Sequence, residues 1–168
     1  MDKSLFEKYI NEMRAMQALA NPEPKTIVMP TVPEENSGDM TGSGKLIVKV
    51  TSARGLYPIK DAKVTVFTGA SDNMEILSEA LTDQSGKTEP LTLPAPSIIY
   101  TESPEPSERP FAYYNIKTVA DGFVDTFNFN SAVFDKITSV QNVNLYPLTT
   151  GVDGNRPIII DGADNYTL

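Results

Sequence analysis

The stretch LTDQSGKTEPLTL, residues 81–93, decides the fold. In it a strand-like run ends, a polar turn of Asp83, Gln84, Ser85 and Gly86 follows, and a second strand-like run begins. Aspartate at the first position of a turn can accept a hydrogen bond from a backbone N–H two residues on, and glycine at the last position adopts a positive φ without steric cost. We therefore predict a β-hairpin whose strands span residues 76–82 and 87–93.

A second informative stretch is YYNIKTVADGF, residues 113–123. Side chains in a strand alternate between its two faces, so one face carries Tyr114, Ile116, Thr118 and Ala120. The Asp-Gly pair that follows is a turn signal and should end the strand. The pattern predicts a half-buried strand that presents this face to a core.

Alternation of apolar and polar residues continues through the second half of the chain. Runs of this kind also cover residues 45–50, in which Leu46, Val48 and Val50 share one face, and residues 62–67, 124–129 and 140–148. Nothing between residues 45 and 148 sustains helical periodicity. We predict a mainly β fold, namely a single Greek-key-like antiparallel β-sandwich of about seven strands over residues 45–148.

Residues 4–20 predict one amphipathic helix. Ser4 and Glu7 have the spacing of a capping box, in which each side chain satisfies a backbone donor at the helix start. A helix of roughly 25 Å is marginal alone in water, so its apolar stripe must be buried. We expect the stripe to dock on a protein partner or on a second copy of the chain, with packing on the following domain as the alternative. Its four strongest members are Phe6, Tyr9, Ile10 and Met13.

Two segments flank the predicted sandwich. Residues 21–44 are rich in proline in their first half and in glycine in their second half, which predicts a flexible linker. Residues 149–168 form a C-terminal tail, in which Ile158, Ile159 and Ile160 predict at most one edge strand.

Composition limits the chemistry that the chain can perform. It contains no Cys and no His, which excludes disulfides, Cys/His zinc sites and nucleophile–histidine pairs. The formal net charge of −8 would repel nucleic acid. The acidic groups at residues 152–155 and 161–165 lack the spacing of a calcium loop. We expect no enzymatic activity, no catalytic residues, no metal site and no cofactor.

One group of aromatic residues could form a ligand surface. Exposed rings stack on sugars, so we predict a surface for a glycan here, with core packing as the alternative for at least half of the group. The group consists of Tyr57, Phe111, Tyr113 and Tyr114.

The beginning of the sequence bears on where the protein acts. Residues 1–20 carry charges where a secretory signal requires an apolar run, and no run approaches the ~20 residues of a membrane span. We expect cytoplasmic synthesis without a signal peptide, followed by incorporation into spore layers or release by lysis.

Four segments of the second half resemble a known module. They are KLIVKVTSARGLYPIKDAKVTVF (45–67), LTDQSGKTEPLTLPAP (81–96), YNIKTVADGF (114–123) and VFDKITSVQNVNLYPL (133–148). They are similar to the N-terminal carboxypeptidase-regulatory-like, or transthyretin-type, sandwich of clostridial spore-cortex-lytic and related peptidoglycan-associated proteins. The TDxxGK and Y-x5-A-x-G-F patterns are more weakly similar to collagen-adhesin B-type domains.

The resemblance implies a function for the module. Such sandwiches are spacers or binding modules, so we expect a non-catalytic structural or targeting module of the spore envelope or cortex machinery. Two alternatives are a structural component of a phage tail or phage-tail-like particle and a cell-wall glycan-binding module. The partners expected are a protein or a second copy through the helix, and peptidoglycan or another glycan, but neither nucleic acid nor a membrane.

Overall fold

The computed structural model describes residue 36 and residues 39–70, 73–99, 109–148 and 157–162. Within these ranges the chain forms nine strands in two sheets. The strands are β1 (Gly42–Ser52), β2 (Tyr57–Pro58), β3 (Lys63–Thr68), β4 (Glu75–Leu81), β5 (Leu91–Ala95), β6 (Ala112–Val119), β7 (Thr126–Val133), β8 (Thr138–Leu145) and β9 (Ile158–Asp161). The mainly β class is therefore confirmed. The predicted helix and its stripe residues Phe6, Tyr9, Ile10 and Met13 lie outside the described residues, as does most of the linker.

The two sheets have different arrangements around their central strands. In the four-stranded sheet, β1 is flanked by β8 on one side and by β2 and β5 on the other. The five-stranded sheet has the order β4-β3-β6-β7-β9. The prediction of an antiparallel sandwich is wrong for two pairs, because β1 with β8 and β7 with β9 run parallel. The chain changes sheets between β7 and β8, and β8 thereby reaches β1 running in the same direction.

The predicted hairpin around residues 83–86 is also wrong, although its turn is confirmed. The Asp83 Oδ1 accepts hydrogen bonds from the backbone N–H groups of Ser85 at 2.8 Å and Lys87 at 3.0 Å, and Gly86 has a φ of 74°. The strand before this turn pairs with β3, whereas Gly86 accepts a hydrogen bond from the Val50 N–H of β1 at 2.7 Å. The turn therefore carries the chain from one sheet to the other.

The core lies between the two sheets. Leu46, Val48 and Val50 of β1 point into it and are at most 1% exposed, as the alternation predicted. The predicted inward face of β6 is confirmed as well, since Tyr114 and Ile116 belong to the same cluster. Further members come from both sheets: Val64, Val66, Leu93, Val133, Val143 and Leu145.

The first strand begins earlier than its apolar alternation indicates. It starts at Gly42, so residues 42–44, which the sequence places at the end of the linker, pair with β5. A Cβ on Gly44 would lie 2.2 Å from the Phe134 carbonyl oxygen, and one on Gly42 would lie 2.6 Å from the Asp135 side chain. These glycines allow β1 to approach the turn between β7 and β8 closely.

Candidate binding surface at one end of the sandwich

A row of side chains lies where β6 begins and β7 ends. The Phe111 ring packs edge-on against Tyr113 with centroids 5.0 Å apart, and on its other side it lies 5.3 Å from Phe134. The Arg109 guanidinium sits 5.4 Å from the centre of the Tyr113 ring. Pairing of Ala112 with Val133 brings the two strand ends together. The three rings are half-buried, so the row forms part of the surface.

The structure separates the four aromatic residues that the sequence predicts as a ligand surface. Phe111 and Tyr113 are in contact, whereas Tyr57 is paired with Ser52, at the opposite end of β1 from Gly44. At about 3.3 Å per residue, those ends are roughly 26 Å apart. Tyr57 therefore belongs to the other end of the sandwich.

Tyr114 points into the core and is 2% exposed. Its hydroxyl donates a 2.6 Å hydrogen bond to the Pro94 carbonyl oxygen of β5, which links the two sheets. Burial raises the pKa of Tyr114 to about 12, because the phenolate is poorly solvated there. This side chain therefore links the two sheets. It directly follows Tyr113 in β6, and since successive side chains of a strand point to opposite faces, it lies on the face opposite Tyr113.

Phe134 also borders a pocket that opens between the edges of the two sheets. The pocket has a volume of about 310 Å³. Its floor is the core residue Leu46, and its polar rim includes Gln141, whose Oε1 accepts a hydrogen bond from the Ser131 hydroxyl at 3.2 Å. The remaining lining residues are Ala132, Phe134, Ile137, Ser139 and Val140. Neither Phe134 nor this pocket was predictable from the sequence, because residues from β1, β7 and β8 meet only after folding.

One wall of the pocket is the edge strand β8. Among the described strands, it pairs with β1 alone. The Lys45 N–H donates a 2.9 Å hydrogen bond to the Ile137 carbonyl oxygen. This bond shows which backbone groups of β8 face β1. Backbone groups alternate in direction along a strand, so the amides of Val140 and Asn142 point away from β1. The outer edge of β8 thus offers backbone donors and acceptors beside the pocket.

The composition of β8 distinguishes it from the other edge strands. Unpaired edges usually carry charge or proline, which prevents pairing with other chains. Proline occurs in β2 as Pro58 and in β5 as Pro94, and acidic residues occur in β4 and β9, for example Glu79 and Asp161. In the part of the chain that the structure describes, β8 is the edge strand that carries neither a charged residue nor a proline. Val140 of β8 is 56% exposed, and Ile137, which directly precedes the strand, is 51% exposed.

The turn that leads into β8 is held in place by Asp135. Its carboxylate accepts hydrogen bonds from the backbone N–H groups of Ser43 at 2.9 Å and Ile98 at 3.0 Å. The hydrogen bonds from Ile98 and Ser43 hold the pKa of Asp135 below its usual value. One carboxylate therefore joins the start of β1, the segment after β5 and the β7–β8 turn, and so fixes the position of the pocket wall.

No group of three or more Asp or Glu side chains in the described ranges is placed to hold a metal ion. A search of the same ranges for a helix long and apolar enough to cross a bilayer gives none.

No protein-family model matches the chain, and no curated protein matches it. Solved structures with a similar arrangement of strands include the Bacillus anthracis TIE protein, at 15% identity and a TM-score of 0.40, covering 64% of this chain and 17% of that one. The minor pilin GBS52 of Streptococcus agalactiae matches at 13% identity and a TM-score of 0.42, and the match covers 65% of this chain and 46% of that one. Catechol 1,2-dioxygenase from Pseudomonas arvilla C-1 matches at 12% identity and a TM-score of 0.45, and the match covers 90% of this chain and 72% of that one.

These similarities are limited in extent and in strength. The chain spans 17%, 47% and 46% of the length of the first three solved structures it matches. At such identities and scores, the likeness is one of β-sandwich folds and assigns no function. The expectation that the chain is not an enzyme is nevertheless corrected, because solved enzymes, the catechol 1,2-dioxygenases, are among the similar structures. The fold is thus no ground for excluding catalysis.

Proposed function

We propose that this chain is a structural or targeting module that attaches to a protein partner through β8. In the proposed complex, an extended segment of the partner adds to the outer edge of β8 and continues the four-stranded sheet. The observation that carries this proposal is the edge strand itself, which is eight residues long, unpaired on one side within the described chain, and without charge or proline.

The pocket beside β8 would provide selectivity. In strand addition, backbone hydrogen bonds supply affinity, and pockets that receive alternate side chains of the added strand supply specificity. The walls contributed by Ile137, Phe134 and Leu46 suit an apolar side chain. We therefore expect a partner segment with an apolar residue at the position that faces the pocket.

The aromatic row supports a protein ligand more than a glycan. Phe111 packs edge-on against Tyr113 at an interplanar angle of 70° and at 56° against Phe134. In such contacts the edge of one ring lies against the face of its neighbour, and the Arg109 guanidinium lies over the Tyr113 ring, whereas a sugar-stacking platform needs an open face. For the cellular setting we propose the spore envelope or cortex, on the strength of the four segments that resemble spore-cortex-lytic proteins. A phage tail is the alternative setting, and the genes that neighbour the gene for this protein would distinguish the two.

A pair of matched variants tests the attachment. Val140→Lys places a charge on β8, and Ile76→Lys places the same charge on the edge strand β4, where the side chain is similarly exposed at 55% against 56%. Neither residue is in the core, so both variants should keep the melting temperature of the natural protein.

The readout is the fraction of the protein that sediments with the envelope or particle fraction of the cells that produce it. We expect Val140→Lys to remove most of that fraction and Ile76→Lys to leave it unchanged. Equal behaviour of the two folded variants, whether both are retained or both are lost, would refute attachment through β8.

A further inference from the structure

A second apolar cluster lies on the five-stranded sheet, on the face turned away from the core. Val66 and Ile116 are paired neighbours whose side chains enter the core. The next residue along β3, Phe67, therefore points to the opposite face. There it meets Phe127 at 6.4 Å and Phe129 at 6.2 Å, both edge-on. We call these three rings the outer cluster.

The outer cluster is buried as deeply as the core. Phe67 is 0% exposed, Phe129 1% and Phe127 8%. Rings on one face of a sheet shield each other's edges but not their upper surface. Among the described residues, Ile159 of β9 is the partly buried apolar side chain packed against the cluster. The Lys117 Nζ lies 5.4 Å from the centre of the Phe127 ring and shields part of it, whereas Ile76, the β4 partner of Phe67 on this face, is 55% exposed. A further layer therefore covers the cluster itself and leaves the β4 edge of this face open.

The outer face of the four-stranded sheet shows what an uncovered face looks like. There Val140 is 56% exposed, and its neighbours Lys45 and Thr138 are also exposed. That face carries polar residues and isolated apolar ones. The covering layer is thus specific to the part of the five-stranded sheet that carries the outer cluster, and the three phenylalanine side chains there give the reason.

The path of the chain before β1 indicates which segment supplies the layer. The Asn36 side chain donates to the Tyr113 carbonyl oxygen at 3.1 Å and accepts from the Tyr113 N–H at 3.0 Å. Tyr113 lies two residues beyond Asn115, the last residue of β6 paired with β3. Asn36 therefore binds the backbone of β6 where β3 has ended. Asn36 thus lies at the rim of the five-stranded sheet.

We propose that the apolar stripe of residues 4–20 covers the outer cluster of its own chain. The cluster lies on β3 and β7, which are separated by β6, so it extends roughly 10 Å across the strands, and a helix of roughly 25 Å is long enough to cover it. The sixteen residues from Ala20 to Asn36 can span roughly 50 Å when extended, which is ample to bring the helix onto the sheet. Burial of the cluster within a single chain favours this arrangement over docking on a separate partner.

Two double variants of the full chain test the proposal. Tyr9→Asp with Met13→Asp puts two charges into the stripe, and Asn11→Asp with Ala15→Asp puts two charges on the opposite face of the helix. Loss of the covering layer exposes the cluster, so the first variant should lower the melting temperature of the sandwich by about 10 °C, the scale of a lost buried contact in a domain of this size. It should also bind a dye that fluoresces on apolar surfaces. The second variant should do neither.

Three results would overturn the proposal. The first is a melting temperature of the Tyr9/Met13 variant equal to that of the control, with no dye binding. The second is a dimer of the natural chain whose melting temperature rises with protein concentration, since the stripe would then cover the cluster of another copy. The third is a fall in melting temperature produced by Tyr166→Asp with Leu168→Asp and not by the stripe variant, which would assign the layer to the C-terminal tail.

Discussion

Replacement of Gly44 by alanine tests whether β1 is packed against the β7–β8 turn. The added Cβ would lie 2.2 Å from the Phe134 carbonyl oxygen and 2.7 Å from the Val133 Cγ1, whereas ordinary contact begins at 3.4 Å. The nearer atom belongs to the backbone, so the turn would have to move by about 1 Å. Overpacking of this kind costs about 1–3 kcal/mol, and we expect the upper part of that range.

Urea unfolding followed by circular dichroism measures the change in the free energy of unfolding. A loss of about 3 kcal/mol should lower the melting temperature by about 15 °C in a domain of this size. Ser43→Ala is the matched control, because the Ser43 side chain is exposed and its hydrogen bond to Asp135 comes from the backbone N–H. If Gly44→Ala were no more destabilising than Ser43→Ala, the close approach of β1 to the turn would be refuted.

Two further predictions concern ionisable groups. Tyr114→Phe should cost about 1 kcal/mol at pH 7, where it removes the hydrogen bond to Pro94. Because the folded-state pKa of Tyr114 is raised to about 12, the natural protein should lose about 2 kcal/mol of stability between pH 10 and pH 12, a loss that the phenylalanine variant lacks. A difference between the two proteins that does not vary from pH 9 to pH 12 would contradict this. The lowered pKa of Asp135 means that its carboxylate stabilises the fold above about pH 4, and that this contribution disappears as the pH falls through the lowered folded-state value. Asp135→Asn should therefore lower the melting temperature more at pH 7 than at pH 2, whereas an equal effect at both pH values would argue against the charged hydrogen bonds.

The strands were predictable because their signals are local. Alternation predicted Leu46, Val48 and Val50 as core residues. The turn was predicted from four residues, because Asp83 and Gly86 occupy the positions that such a turn requires. The partners of these strands were not predictable. A hairpin turn and a turn that carries the chain between sheets have the same local sequence, and what separates them here is the contact of Gly86 with β1, 36 residues earlier.

The glycines at the start of β1 show a second limit. A Gly-Ser-Gly sequence is typical of flexible linkers, yet Gly42 and Gly44 lie in a strand because a neighbouring turn leaves no room for a Cβ. The candidate surface could not be predicted from the sequence either. Phe111 and Tyr113 were recognised as aromatic residues close in sequence, but Phe134 and the edge strand β8 join them only through the pairing of β6 with β7 and of β8 with β1.

Attachment through β8 is tested most directly by site-specific photo-crosslinking in the cells that produce the protein. A photoreactive amino acid replaces Val140 in one variant and Ile76, on the opposite edge strand, in the other. We expect a covalent adduct with one partner polypeptide from position 140, joined through an extended segment of that partner, and none from position 76. An adduct from position 76 alone, or no adduct from position 140 in a folded protein, would contradict the proposed role of β8.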